Sequence, residues 1–214
     1  MNPDAADTLH ELFELAHFCA ERGWVPATSG NFSVCDARGR ILISRSGFDK
    51  RTMGLKDLVE VDSEGRLVSD GESNDRPSAE AGLHAVIYRQ RPEARAIAHV
   101  HTVWNTLLSG RYAGKFCVPI EGYEILKGLA GVATHKHVER IPLIENIQDY
   151  AELALKFGNA LEEFPQAHGV LLSRHGLYTW GQSVAEARRH LEVLEFLFEV
   201  EERRLMGVGC DRLV

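Results

Sequence analysis

Apolar residues recur at helical spacing in two long parts of the chain. Within residues 7–22, apolar side chains return every three or four positions opposite charged ones, which predicts an amphipathic helix. Gly23 and Pro26 end that helix. From Ser183 onward, apolar residues again recur at threes, fours and sevens, and Ser183 with Glu186 has the spacing of a capping box. We therefore expect a long helix there.

Shorter segments of both kinds lie between these helices. Apolar runs bounded by turn residues predict strands at 32–34, 41–44, 59–61, 96–100, 170–173 and 177–180. Helical spacing predicts shorter helices after Pro77-Ser78 and over 124–129 and 150–161. The sequence contains no internal repeat and no linker long enough to divide it. Strands interleaved with helices favour one α/β or α+β domain over residues 1–214.

The composition is typical of a globular protein and excludes several classes. Hydrophobic residues make up 44% of the 214 residues and charged residues 26%, so the chain is neither disordered nor collagen-like. A chain of this length buries a core without disulfides or a structural metal. The net charge of −7, without a basic cluster, argues against a nucleic-acid partner. The ten histidines are the one unusual count, and they raise the question of metal chemistry.

Two absences in the sequence predict a cytoplasmic protein. No apolar run reaches about 18 residues, so we expect no membrane span, and the first residues lack a signal-peptide pattern. The four cysteines are scattered without a C-x-x-C pair, and we expect their thiols to be reduced. They are Cys19, Cys35, Cys117 and Cys210.

A histidine pair, His99 and His101, is the strongest local signal for chemistry. If this segment is extended, residues two apart project from the same face, so both imidazoles reach one ion. Imidazole suits zinc, and catalytic zinc usually takes three protein ligands and keeps one position open. His175, which follows an apolar run and precedes Gly176, is the best candidate for the third ligand. The alternative is that these histidines are structural and only hydrogen-bonded.

A second histidine pair, His135 and His137, lacks the setting that metal ligands need. No apolar strand precedes it to fix the ring geometry, and Lys136 would bring a positive charge close to any bound cation. We interpret this segment as a solvated loop. Three further histidines fall on the polar sides of predicted helices, where we expect surface residues: His10, His17 and His190.

Two glutamates near predicted helix starts are candidates for moving protons. Glu80 follows Pro77-Ser78-Ala79, and Glu124 begins the 124–129 segment. Each position also suits an ordinary helix-terminus carboxylate. The apolar Ile125-Leu126 pair predicts partial burial of Glu124, which would raise the pKa of its carboxyl toward neutrality and suit it to acid-base catalysis.

Two short loops combine hydroxyls with glycine, as many anion sites do. Residues 28–31 (Thr-Ser-Gly-Asn) and 44–47 (Ser-Arg-Ser-Gly) would expose backbone N–H groups that can hold a phosphate. Neither loop is a Walker loop or a G-x-G-x-x-G motif, and ordinary turns between strands use the same residues. Each loop alone is therefore only a weak signal for phosphate.

Five motifs together occur in the order found in one enzyme family. They are Thr28-Ser29-Gly30-Asn31-Phe32-Ser33, Ser44-Arg45-Ser46-Gly47, Pro77-Ser78-Ala79-Glu80, His99-Val100-His101 and Arg174-His175-Gly176. Over about residues 7–206 the chain resembles the class II aldolase/adducin family. The resemblance implies an α/β fold, a three-layer α/β/α sandwich with a largely antiparallel central sheet. It also implies a homotetramer with active sites at subunit interfaces.

The resemblance implies roles for individual residues as well. One zinc ion (Zn²⁺) per subunit would be held by His99, His101 and His175. The substrate would be a small sugar phosphate. Its phosphate would be bound near Gly30, Asn31, Ser46, Gly47 and Ser78.

The segment Tyr123–Gly128 resembles the dehydratases within that family. In those enzymes a glutamate at the Glu124 position is the proposed catalytic acid/base. A glutamate at the Glu80 position occurs in the family's aldolases, whereas some dehydratases carry cysteine there, so Glu80 does not separate the two activities. The resemblance favours a sugar-phosphate dehydratase with Glu124 and Glu80 as catalytic candidates.

Two other functions stay open at this point. The nearer is a sugar-phosphate aldolase or 4-epimerase of the same family. The other is a metal-free interaction module of the adducin type, which binds partners and does not catalyse. The intact set of His99, His101 and His175 argues against that module, because ligand geometry without a ligand is costly to retain.

Overall fold

The structure, a computed structural model, describes residues 3–68 and 76–208. Within them the strands are β1 (Asn31–Cys35), β2 (Ile41–Ser44), β3 (Leu58–Val61), β4 (Ala96–Val100), β5 (Cys117–Glu121), β6 (Val138–Ile144), β7 (Gly169–Leu172) and β8 (Gly176–Gly181). The α-helices are α1 (Pro3–Glu21), α2 (Ala81–Gln90), α3 (Val103–Arg111), α4 (Tyr150–Glu163) and α5 (Val184–Val208). Short 3₁₀ helices cover Lys50–Thr52, Leu55–Asp57 and Glu124–Gly128.

The strands form one sheet in the order β3-β2-β1-β4-β8-β7-β6-β5. Among the described strands every neighbouring pair is antiparallel except β6 and β7, which run parallel. The predicted, largely antiparallel sheet is therefore confirmed. In its centre, His99 of β4 pairs with Asn31 of β1 on one side and with Tyr178 of β8 on the other.

Helices cover both faces of the sheet. Side chains of α1, α3 and α5 pack into one apolar core, and those of α2 and α4 pack into another. Along β4, Ala98 and Val100 belong to the first core and Ile97 to the second. Since successive strand residues point to opposite faces, the two cores lie on opposite sides of the sheet. This arrangement is the predicted α/β/α sandwich.

Among the strands and α-helices of the described residues, the apolar pattern missed three: α3, β5 and β6. β5 lies at the edge of the sheet and alternates buried with exposed positions, and Pro119 within it is a residue that strands generally exclude. The predicted helix at 124–129 is a single 3₁₀ segment, Glu124–Gly128. The other predicted strands and helices are present, with boundaries that shift by a few residues.

None of the helices in the described residues is long and apolar enough to cross a membrane. The cysteines at positions 19, 35 and 117 are free thiols, as predicted, and Cys210 lies outside the described residues.

Candidate metal centre

The end of β4 brings two imidazoles together. His99 is fully buried in the sheet and His101 follows its end, and their Nε2 atoms lie 2.8 Å apart. The ring of His99 stacks on Tyr178 with 3.9 Å between centroids, and its Nδ1 donates to the Leu177 carbonyl at 3.0 Å. Because Nδ1 carries the proton, the Nε2 lone pair of His99 is free to face a cation.

The turn between β7 and β8 supplies a third imidazole, that of His175. Arg174 has a positive φ of 56°, so the chain reverses sharply before His175. A Cβ at Gly176 would lie 2.5 Å from a backbone oxygen of β4, so glycine is needed for this close approach. His175 Nδ1 donates to the side-chain oxygen of Asn146 at 3.2 Å, which leaves its Nε2 free as well. The ring centroids of His175 and His99 lie 5.2 Å apart.

Glu80 completes the group from the start of α2. Its carboxylate is buried, with Oε1 3.0 Å from Nε2 of His175 and Oε2 3.3 Å from Nε2 of His99. Ligand atoms of four residues all lie within 4.8 Å of one another. We call these residues the metal-site cluster: Glu80, His99, His101 and His175. In residues 3–68 and 76–208 it is the one group of three or more histidine, cysteine or acidic side chains this close together.

Burial and neighbouring charges set the protonation of the metal-site cluster. Burial lowers the pKa of His99 to about 4, and burial with the adjacent His99 lowers the pKa of His101 to about 3. Both rings are therefore neutral near pH 7, the form that binds metal. Burial opposes ionisation of Glu80, but His99, His175 and a hydrogen bond from Asn31 outweigh it and hold the Glu80 pKa below its usual range. Imidazole nitrogens with one carboxylate form a donor set that fits a divalent cation such as zinc.

Asn31, a predicted phosphate residue, is the side chain that orients Glu80. Its amide donates to Glu80 Oε2 at 2.7 Å and to Ser78 Oγ at 3.0 Å, and its oxygen accepts from His84 Nε2 at 2.5 Å. The preceding Gly30 has a φ of 68°, and a Cβ there would lie 2.7 Å from a carbonyl of β4. The 28–31 loop therefore lies directly against the metal-site cluster.

The second predicted phosphate loop lies beside the segment that carries Ser78. Ser46 donates its backbone N–H to the Arg76 carbonyl at 2.9 Å. Ser46 and Gly47 are exposed, and Gly47 has a φ of 79°. In the first loop, the Ser29 hydroxyl is buried and has no hydrogen-bond partner among the described residues. Buried hydroxyls without a partner are rare in folded proteins.

Lys50 lies buried between these two loops. Its ammonium donates to the carbonyls of Thr28 and Phe48, each at 3.2 Å, and lies 4.2 Å from the centre of the Phe48 ring. Burial lowers the pKa of Lys50 to about 8. No sequence pattern indicates this burial, because a lysine in the polar segment Asp49-Lys50-Arg51 is typical of a surface. One buried positive charge therefore lies beside the predicted phosphate loops.

Glu124, in contrast, lies at the other end of the sheet. Its 3₁₀ helix follows the end of β5, which runs antiparallel to β6, and β6 has the same direction as β4. The end of β5 is therefore level with the start of β4, not with the end that carries His101. Four strand spacings, roughly 20 Å, also separate β5 from β4. Glu124 does not reach the metal-site cluster of its own chain.

The predicted burial of Glu124 is wrong. Its side chain is 71% exposed, accepts a hydrogen bond from Lys127 and lies 3.6 Å from His135. The hydrogen bond from Lys127 holds the pKa of the Glu124 carboxyl below its usual value, not above it. Leu126 is indeed buried, but the turn of the 3₁₀ helix places Glu124 on the solvent side.

Three other histidines for which the sequence made predictions also lie outside the metal-site cluster: His135, His137 and His190. His135 is half exposed, and His137 donates to the buried carboxylate of Glu139 at 2.8 Å, so neither joins the metal-site cluster. The expectation that His190 lies at the surface is wrong, because it is buried and its Nδ1 donates to the Trp180 carbonyl at 2.7 Å. A long helix with apolar residues on adjacent rows buries more of its circumference than the pattern indicated.

A cleft of about 630 Å³ opens beside the metal-site cluster. Glu80, His101 and His175 line it, and its volume falls in the range of small-molecule sites. Arg174, from the motif Arg174-His175-Gly176, lines it as well. Four further lining residues were marked by no sequence pattern as site residues: Thr106, Asn146, Gln148 and Tyr150.

The chain is similar to several known proteins. The chain is 47% identical over 193 residues to a methylthioribulose-1-phosphate dehydratase of Methylococcus capsulatus, covering 90% of this chain and 92% of that protein. It is 43% identical over 189 residues to a dehydratase of the same name from Sorangium cellulosum, covering 88% of each. The crystal structure of L-fuculose-1-phosphate aldolase from Thermus thermophilus superimposes with a TM-score of 0.73 at 26% identity, over 94% of this chain and 97% of that one.

The family profile described as "Class II Aldolase and Adducin N-terminal domain" matches residues 10–201, which is most of the chain. The resemblance read from the five motifs is thereby confirmed. The chain belongs to the class II aldolase and adducin N-terminal domain family.

Proposed function

We propose that this chain is a hydro-lyase that dehydrates 5-methylthioribulose 1-phosphate to 2,3-diketo-5-methylthiopentyl 1-phosphate, a step of methionine salvage. The observation that carries the proposal is the metal-site cluster at the mouth of a cleft, in a chain 41–47% identical to relatives named for that dehydration. The cleft offers neutral imidazoles, one ionised carboxylate and adjacent loops suited to a phosphate.

Three of the four cluster residues would hold the metal, namely His99, His101 and His175, with one zinc ion per subunit. Zinc, when bound, polarises a carbonyl oxygen and stabilises negative charge that develops beside it. The imidazoles fit that role because hydrogen bonds to Leu177 and Asn146 fix the rings of His99 and His175 with Nε2 facing inward.

The dehydration needs a base and an acid. The proton at C3, next to the C2 carbonyl, leaves to a base, and the C4 hydroxyl then departs as water once it receives a proton. The enol that remains becomes the 2,3-diketone. Glu80 is ionised in the cleft and can accept or return a proton there, because its depressed pKa keeps it a carboxylate at neutral pH.

Glu124 is proposed as the main acid/base, and its place in the fold demands that it act on another subunit. Since it lies roughly 20 Å or more from the metal-site cluster of its own chain, a homotetramer with active sites at subunit interfaces would bring Glu124 of one subunit to the cleft of a neighbour. We further propose that residues 1–214 act as one domain in the cytoplasm, on a sugar phosphate, with neither nucleic acid nor membrane as partner.

Parallel assays on the purified zinc enzyme test this function. Methylthioribulose 1-phosphate, fuculose 1-phosphate and ribulose phosphates are each supplied, and products are identified. Formation of the diketone from the first substrate, faster than any reaction of the others, supports the proposal. Release of dihydroxyacetone phosphate or glycolaldehyde phosphate would instead identify an aldolase. Protein that retains no metal and turns over none of these substrates would identify an interaction module.

A sugar-phosphate aldolase or 4-epimerase is the second candidate. Glu80 favours it, because this carboxylate lies 3.0–3.3 Å from two histidines of the metal-site cluster, where a carbanion formed by bond cleavage would need a proton. The structural likeness to L-fuculose-1-phosphate aldolase supports the same alternative. The product assay above separates the two.

Gly47→Val is expected to raise the KM for the phosphorylated substrate about tenfold or more, equivalent to about 1.4 kcal/mol. The left-handed φ of 79° strains any β-branched residue, so the loop that presents Ser46 would change shape. Gly39→Val is the matched control, because Gly39 has a φ of 80° with open space around it in the turn between β1 and β2. An unchanged KM in Gly47→Val, or an equal rise in Gly39→Val, would contradict a phosphate site at this loop.

Lys50→Met is expected to raise the same KM about tenfold, with kcat changed less than about twofold. Methionine keeps the length of the side chain but removes the charge that would face the phosphate, and it leaves the Thr28 and Phe48 carbonyls without their donor. The exposed Lys56→Met serves as the control. A KM equal to that of the wild type, in a variant whose thermal unfolding midpoint is normal, would exclude Lys50 from substrate binding.

A further inference from the structure

A buried group of histidines and one glutamate lies at the end of the sheet opposite the metal-site cluster. Glu139 of β6 is buried, and His168, which precedes β7, places Nδ1 3.1 Å from its Oε2 and donates its backbone N–H to Oε1 at 3.0 Å. His190 of α5 lies beside His168, with 5.0 Å between ring centroids. These residues have no role in the proposed chemistry of the cleft.

The partners of His168 require a proton on both ring nitrogens. Nδ1 faces the Glu139 carboxylate, and Nε2 lies 2.8 Å from the Ala130 carbonyl. Both partners are acceptors, so each nitrogen must donate, and the ring is an imidazolium. Burial opposes that charge, but Glu139 and the Ala130 carbonyl outweigh it and raise the pKa of His168 above its usual value. The buried carboxylate of Glu139 compensates the positive charge.

His190 has the opposite protonation. Its Nδ1 donates to the Trp180 carbonyl at 2.7 Å, and its Nε2 accepts the backbone N–H of Ala130 at 3.1 Å. The ring is therefore neutral, and burial lowers its pKa to about 4. Together, His168 and His190 bind the carbonyl and the N–H of one residue, Ala130.

Ala130 lies two residues beyond the 3₁₀ helix that Glu124 begins. At the other end of that helix, the Tyr123 hydroxyl donates to Glu201 of α5 at 2.7 Å. A Cβ at Gly128 would lie 2.6 Å from the Val193 side chain, so the helix also packs tightly on α5. Glu124 itself is exposed, and its ion-pair partners Lys127 and His135 are exposed as well. Its position is consequently set by these anchors.

We propose that His168 is a positioning residue whose doubly protonated ring holds Ala130, and thereby fixes the 3₁₀ helix that presents Glu124. This inference rests on the proposed role of Glu124 in the active site of a neighbouring subunit. The imidazolium ring donates to a carbonyl and to a carboxylate at the same time, which neither neutral tautomer of histidine can do.

The stability that the protonated His168 ring contributes depends on pH in a defined direction. A folded-state pKa above the ordinary value means that this interaction stabilises the fold fully below about pH 6.5 and is lost as the pH rises through the folded pKa. Other charged or titratable groups face His168 and His190. They are Glu139 and His137 from the β6 side and Glu186 and Arg189 of α5. Above that pKa, one ring nitrogen turns a lone pair toward an acceptor, so the Ala130 carbonyl or Glu139 loses its donor.

The first measurement is made on the wild-type zinc enzyme. Nitrogen-15 NMR of the histidine rings at pH 7 is expected to show both nitrogens of His168 protonated, with titration above the ordinary value of about 6.5. Amide exchange of the peptide that spans 123–132, corrected for the intrinsic pH effect, is expected to accelerate through the same pH. A neutral His168 at pH 7, or exchange that does not change with its titration, would overturn the proposal.

The second measurement uses His168→Gln, whose single amide nitrogen can replace the donor toward Ala130 or the donor toward Glu139, but whose oxygen takes the other position and cannot donate. We expect exchange of the 123–132 peptide to be faster at every pH, kcat to fall about tenfold, and KM and metal content to stay unchanged. The alkaline decline of kcat that follows His168 in the wild type is expected to disappear. His17→Gln is the control, because His17 is also bonded to a carbonyl, that of Met53 at 3.1 Å, but far from this segment.

The two readouts separate this inference from the proposed function. If Glu124→Gln retains full turnover, the catalytic role of Glu124 fails, and the positioning role for catalysis fails with it, even where exchange responds to His168. If Glu124→Gln is inactive but His168→Gln leaves exchange and kcat as in the wild type, only the positioning role fails. Should His168→Gln not fold, the wild-type pH series still decides.

Discussion

His175→Ala is expected to lose its bound metal and to lower kcat/KM by about 10³-fold or more, since a catalytic metal contributes several kcal/mol to charge stabilisation. His175 is the cleanest of the three predicted ligands to replace. Its side chain is 18% exposed in a turn, and its partners are Asn146 and the metal-site cluster itself. Metal analysis of the purified variant, together with steady-state kinetics, measures both effects.

His99→Ala is a poorer test of the metal site. His99 is fully buried, stacks on Tyr178 and donates to Leu177. Its removal leaves a cavity and a carbonyl without a donor, and large-to-small changes in a core cost about 2–5 kcal/mol. Loss of activity in that variant would mix loss of metal with loss of stability.

The control for His175→Ala is His10→Ala, an exposed histidine on α1. It should retain both metal and activity. His135→Ala tests the second histidine pair, His135 and His137. Only its metal content is compared with that of the wild type. Full metal occupancy in His175→Ala, or depletion in His135→Ala, would show that the ion is held elsewhere.

The metal-site cluster was predictable because its signals are local. The His99 and His101 pair needs only the two-residue repeat of a strand, and the apolar run before each motif indicated a buried strand. That His175 meets this pair was implied by the family resemblance. The order of the five motifs then indicated the family, and with it the three-layer fold. None of these steps requires knowledge of contacts between distant residues.

The residues that the sequence did not reveal depend on such contacts. Lys50 is distinguished from a surface lysine only by the two carbonyls that meet it from separate loops. The resemblance implies that Asn31 lies near the phosphate, yet its side chain is hydrogen-bonded to Glu80, Ser78 and His84. The exposure of Glu124 follows from the path of a 3₁₀ turn, which apolar neighbours in sequence do not fix.

Glu124→Gln is expected to lower kcat by roughly 10²–10⁴ with metal content unchanged, because the amide keeps the shape of the side chain but cannot accept or give up the proton. Glu80→Gln is the paired comparison, since Glu80 is the carboxylate within the cleft. If Glu80→Gln abolishes turnover while Glu124→Gln stays near wild type, Glu80 is the acid/base. The aldolase alternative would then gain support.

A mixing experiment tests whether Glu124 acts on a neighbouring subunit. Coexpressed Glu124→Gln and His175→Ala subunits are each inactive, but an interface can combine an intact metal-site cluster from the first with an intact Glu124 from the second. Random assembly into a symmetric oligomer would make about a quarter of the sites complete and restore about that share of activity.

The matched control for the mixture is Glu80→Gln with His175→Ala. Glu80 and His175 are 3.0 Å apart in the same cleft of the same chain, so no combination of these subunits rebuilds a complete site. Activity is expected to return in the first mixture and not in the second. Equal recovery in both would mean that subunits exchange whole sites or revert, and no recovery in either would mean that Glu124 does not complete the site of a neighbouring subunit. Because Glu124 lies on an exposed turn at the far end of the sheet from its own metal-site cluster, recovery in the first mixture alone is the result that the fold demands of a catalytic Glu124.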